Sequence, residues 1–98
     1  MKDRHDYEKA VEIIGGVIRA WDPYSLIAGG APADELDDQI ARITARVPSF
    51  RSPSDAARAI SVVFSDSFGP EAFSAADCSR PAAQIFTELG HAKLLPAA

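Results

Sequence analysis

The residues best placed to do chemistry in this chain are four carboxylates within five positions: Asp34, Glu35, Asp37 and Asp38. Such a run has three physical readings. In the opening turns of a helix, carboxylates complement the positive end of the helix dipole, at about 0.3–1 kcal/mol each. Asp38 also stands four residues before Arg42, the spacing of a helical ion pair. Exposed together, the same acids form a face for a basic partner. As metal ligands they fit poorly, because calcium loops interleave their ligands with glycine in an extended stretch and that pattern is absent here.

Trp21 and Asp22 are the next candidates. Tryptophan is favoured at binding hot spots, yet Trp21 also falls on an apolar helical stripe and so has a packing role open to it. Asp22 precedes Pro23. It is read either as the cap of a turn beginning there, accepting a hydrogen bond from the N–H of Tyr24 or Ser25, or as a charge-recognition group.

Other reactive types are scattered. His5 and His91 lie near opposite ends of the chain, and with the single Cys78 they do not make a zinc-ligand set. Cys78 sits between Asp77 and Ser79, where nothing would stabilise a thiolate, and we read it as structural. Arg42, Arg46, Arg51 and Arg58 form a loose basic series without interleaved aromatics, read as a solvated face. A phosphate-binding glycine loop, HExxH and GxSxG are all missing. The expectation is a protein without catalytic residues, cofactor or metal.

These side chains must be positioned by a chain of 98 residues, one domain by size. With 47% hydrophobic and 24% charged residues it is ordinary for a globular protein. No apolar run approaches the roughly 20 residues of a membrane span. The charged opening Met1-Lys2-Asp3-Arg4-His5-Asp6 is unlike a secretory signal. A lone cysteine gives no internal disulfide, and the expected location is cytoplasmic.

The net charge of −4 is uneven: residues 1–38 hold nine acids against four bases, and residues 39–98 hold five acids against six bases. An acidic chain repels phosphate backbones, so neither nucleic acid nor membrane is an expected partner. A basic protein is the natural complement.

Helical periodicity runs through the chain. Tyr7, Ala10, Val11, Ile14, Val17, Ile18 and Trp21 make the first stripe; Leu36, Ile40, Ile43 and Val47 the second; Ala56, Ala57, Ile60, Val63, Phe64 and Phe68 the third; Ala82, Ile85, Phe86 and Leu89 the fourth. Gly15-Gly16 inside the first helix costs about 1 kcal/mol per glycine relative to alanine, and we read it as a close approach of another helix rather than a hinge. Pro32 and Pro53 sit at favoured first helical positions, with Ser52 as a cap and Asp55 three residues on. Pro48 and Gly69-Pro70 end helices. Ser79 is the expected cap of the fourth, with Gly90 ending it early and residues 91–95 frayed. The prediction is all-α: a compact four-helix bundle of helices near 6–21, 32–47, 53–68 and 80–94, joined by short turns around 23–27 and 70–73.

The segment Trp21-Asp22-Pro23, a glycine-containing loop with Pro32, Asp34-Glu35-Leu36-Asp37, and Ile60, Val63-Phe64 and Phe68-Gly69 resembles the YugE-like family of small bacterial helical domains of uncharacterised function. Leu36 stands where that family often has an aromatic. The resemblance covers about half the chain and implies a small helical bundle. It implies that Trp21, Asp22, Asp34, Glu35 and Asp37 belong to one unit, with the acids near the Trp-Asp-Pro turn, and it implies no activity.

The candidate partner-binding set is therefore Trp21, Asp22, Asp34, Glu35, Asp37 and Asp38. The expected function is a small acidic non-enzymatic binding domain, in its sharpest form an immunity protein neutralising a basic toxin. The alternatives are a self-associating housekeeping domain, as a homo-oligomer, and a small-ligand protein with an acidic pocket.

Overall fold

The computed structural model describes residues 4–21, 36–68 and 74–95. They form four α-helices, α1 (Arg4–Trp21), α2 (Asp37–Thr44), α3 (Pro53–Phe68) and α4 (Ser79–His91), with a short 3-10 helix at Val47–Ser49, and no strand occurs among the described residues. The chain is an all-α four-helix bundle. Each helix packs against its neighbours in sequence, α3 on α4 most extensively, and α4 closes the ring against α1. The radius of gyration is 12.6 Å, the value expected of a folded domain of about 100 residues.

The stripes meet in one core. Ala10, Ile14, Val17 and Ile18 from α1, Ile40 and Ile43 from α2, Ala56, Ile60, Val63 and Phe64 from α3, and Ala82, Ile85 and Leu89 from α4 are all buried, together with Leu36 and Val47. Tyr7 departs from expectation: it is exposed, because residues 4–9 contain no buried position and α1 overhangs the bundle there. Phe50 is fully buried and plugs the α2–α3 connection, a core position the helical periodicity did not reveal because it lies in neither helix.

Three boundaries differ from expectation for identifiable reasons. The second helix was expected over 32–47; α2 begins at Asp37, with Leu36 in the cap position, and ends at Thr44. A proline ring collides with the carbonyl four residues before it and offers that carbonyl no N–H. Pro48 therefore stops the α-helix at Thr44 and leaves the tighter 3-10 turn to carry the chain on. The expected start near Pro32 lies outside the described residues, as do both expected turns.

At the other end, Ser79 is the first residue of α4 and not its cap; Cys78 holds that position and makes no side-chain capping bond. The cap chemistry lies one turn earlier. The Ser74 N–H donates to Asp77 Oδ2 at 3.2 Å and the Asp77 N–H donates to Ser74 Oγ at 3.1 Å, a reciprocal capping box that opens the turn leading into α4.

Nor does Gly90 end α4 early. The helix runs to His91 and closes with the N–H of Leu94 on the Leu89 carbonyl at 2.9 Å and that of Lys93 on the Gly90 carbonyl at 3.1 Å. This is a Schellman closure with Lys93 in the left-handed region at φ 60°. Leu94 is buried beneath it, so the segment to Leu94 is anchored rather than frayed.

The start of α3 follows expectation, with one refinement. The Asp55 N–H reaches Ser52 Oγ at 3.4 Å, while Asp55 Oδ2 reaches back to accept the N–H of Arg51 at 2.7 Å rather than that of the cap residue itself.

Candidate functional site

Of the six candidate binding residues, Trp21, Asp37 and Asp38 are described; Asp22, Asp34 and Glu35, with the capping role expected of Asp22, lie outside the described residues. Asp37 and Asp38 occupy the first turn of α2, where their charge complements the helix dipole. Both are solvent-facing, at 59% and 75% side-chain exposure.

Each acid nevertheless meets an arginine. Arg19 donates through Nη2 to Asp37 Oδ1 at 2.7 Å, joining the last turns of α1 to the first turn of α2. Gly15 makes room for this link. A Cβ there would fall 2.7 Å from Arg19 Nη1 and 3.6 Å from Ile40 Cδ1, so the missing side chain admits both the guanidinium and the neighbouring helix. Gly16 has nothing within 4 Å of its missing Cβ. Close approach therefore accounts for the first glycine and not for the second.

Asp38 stands 3.9 Å from Arg42, as the four-residue spacing predicted, but the closer partner of Arg42 is Asp66 on α3 at 2.7 Å. Charges thus run along the outer surface from α1 to α2 to α3. Arg19 and Asp66 were not read from the sequence as parts of this arrangement. Asp66 lies 24 residues from Arg42, beyond any spacing rule for a single helix. Arg19 was visible only as a polar residue beside the apolar stripe.

Trp21 is partly buried against the core, its ring edge-on to Phe64 with centroids 5.5 Å apart and planes at 84°. Contacts of this kind add about 0.5–1.5 kcal/mol beyond burial. The same residue borders a shallow groove of about 280 Å³ with Val17, Ala20, Arg80, Pro81 and Gln84.

The remaining candidates are dispersed. Cys78 is fully buried, and burial first, then the negative charge of Asp77, pushes its thiol up to about 11, which holds it protonated at neutral pH. His5 and His91 are exposed on different helices. Among the described residues no three His, Cys, Asp or Glu side chains converge, and no helix is long and apolar enough to cross a membrane.

The arginine series divides. Arg42 is bound to acids, whereas Arg46 and Arg58 border a second shallow groove of about 270 Å³ with Ser49, Asp55, Ala59 and Val62. There the Asp55 carboxyl is held below the usual carboxylate range, first by the Arg51 N–H and then by the Arg58 guanidinium. That direction is opposite to the one a general acid needs.

No protein-family model, no curated protein and no solved structure matches this chain.

Proposed function

We propose that this chain is a non-enzymatic protein-binding domain whose acidic side meets a basic partner, in its sharpest form a toxin that it neutralises. The observation carrying this reading is the exposure of Asp37 and Asp38 on the outer surface at the start of α2, in the half of the chain where acids exceed bases by nine to four. Their arginine partners hold them in place without covering them. A partner lysine or arginine can approach the free side of each carboxylate, and the N-terminal acid excess steers it there.

Affinity capture with the full chain from its native host, followed by mass spectrometry, identifies the partner. Its dissociation constant is then measured against salt. The expected partner is basic, its binding weakens about tenfold or more between low and physiological ionic strength, and Asp37→Asn/Asp38→Asn weakens it further. Binding that ignores both salt and these substitutions removes the proposal.

A further inference from the structure

A second surface of opposite character lies between the 3-10 helix and α3. Arg46 and Arg58 flank it, Ala59 and Val62 supply its apolar lining, and Asp55 is the acid within it. Arg46 is exposed and has no acidic partner among the described residues. Arg58 is 70% exposed and binds Asp55 through Nη2 alone, leaving the rest of its donor fork facing outward. Both oxygens of Asp55 are engaged, one by Arg58 and the other by the Arg51 N–H. Val62, at 49% exposure, is one of only two large hydrophobic side chains exposed among the described residues. Two outward-facing guanidinium groups beside an exposed valine therefore form a local basic and apolar patch on a chain of net charge −4.

We propose that this groove docks an acidic peptide segment of a partner protein, with two carboxylates on Arg46 and Arg58 and an apolar side chain against Val62 and Ala59. Charge complementarity selects the carboxylates, because the planar guanidinium fork matches them in a bidentate fashion. The apolar lining selects a peptide over a bare anion. A nucleic acid is disfavoured by the net charge of the whole chain and by a groove with only two basic anchors, since nucleic-acid affinity grows with the number of phosphates neutralised. This surface uses none of the residues of the acidic side, so it stands or falls independently of the basic-partner proposal.

The test is an NMR titration of the isotope-labelled full chain with the blocked peptide Glu-Glu-Val-Glu-Glu. The expected result is saturable shifting of the Arg46 and Arg58 side-chain Nε–H signals and the Val62 amide, at least tenfold weaker in Arg46→Gln/Arg58→Gln and lost with the Gln-Gln-Val-Gln-Gln peptide. Because Arg58 contacts the capping Asp55, Arg46→Gln alone serves as a second variant that leaves the start of α3 intact, and it should weaken binding several-fold. Shifts centred elsewhere, or no saturable shift, overturn the proposal. Equal binding by inorganic phosphate or an oligothymidylate also overturns it, making the groove a general anion site. Concentration-dependent sedimentation of the protein alone, with shifts at the same residues, overturns it in favour of a second copy of this chain.

Discussion

The acid-bearing surface of α1 and α2 and the arginine-bearing groove of the 3-10 helix and α3 use the same ionic chemistry to different ends. On the first, Arg19 joins Asp37 and Arg42 joins Asp66 across helix boundaries, so the charges are partly spent on holding helices together. In the groove, Arg58 pairs with Asp55 one turn away on its own helix, and Arg46 has no acidic partner among the described residues. Position along the chain does not separate the two arginines, since Arg42 and Arg46 are one helical turn apart. What separates them is Pro48. It ends α2 at Thr44 and carries Arg46 into a turn that no longer points along the helix bearing Arg42.

The largest expected effect tests the packing beneath the ionic link on the acidic side. Gly16→Ala has open space for its methyl group and removes a helix-interior glycine, so it should stabilise the fold by about 0.5–1 kcal/mol. Gly15→Ala carries the same propensity gain but places its methyl where Arg19 Nη1 lies, displacing the guanidinium from Asp37. It should gain clearly less than Gly16→Ala, and its deficit should shrink at high salt as the lost ion pair is screened. Equal gains for the two variants in urea denaturation would mean that Arg19 and Asp37 contribute nothing to the α1–α2 contact.

A smaller effect compares the two arginines directly. Arg42→Gln removes exposed ion pairs to Asp66 and Asp38 and should cost about 0.2–1 kcal/mol at low salt. Arg46→Gln touches no ion pair among the described residues and should change stability by less than about 0.5 kcal/mol. Thermal denaturation at two salt concentrations separates them, because only the Arg42 variant should show a salt-dependent loss. A salt-dependent loss in Arg46→Gln would erase the distinction between the two surfaces.

The sequence reveals the bundle well and the site poorly, for one physical reason. Helices write themselves locally: the three- and four-residue spacing of Ile40 and Ile43 or of Ile60 and Phe64 is visible without knowing what they pack against. Ser74 and Asp77 carry an equally local signal, a capping box three residues apart, which the more obvious Ser79 obscured. Lys93 in a left-handed closure is harder, because glycine is the residue that normally marks such a position. The ionic links are harder still. Arg19 to Asp37 and Arg42 to Asp66 span 18 and 24 residues and depend on how helices are placed beside one another, which no spacing encodes. The division of the arginine series into bound and available members follows from the same placement.

The smallest expected effect is one of pH, and it bears on how firmly the groove holds its own acid. The Arg51 N–H and the Arg58 guanidinium lower the Asp55 carboxyl from its ordinary 3.8 in the folded chain. A carboxyl with a lower pKa folded than unfolded adds stability that is fully present above the unfolded value. That stability disappears as pH falls through the folded value. Wild type and Asp55→Asn should therefore differ most in urea midpoint at about pH 6 and converge as pH drops below 3.8. The variant should be the less stable of the two at neutral pH and nearly equal to wild type at the acid end. Arg58→Gln removes the second-ranked cause and leaves the Arg51 hydrogen bond in place, so it should move the onset of acid loss upward without abolishing it. A constant gap between wild type and Asp55→Asn across the whole range would show that Asp55 acts by shape rather than charge. Arg58 would then be unheld within the groove, and the acid would not be what orients it toward a docking peptide.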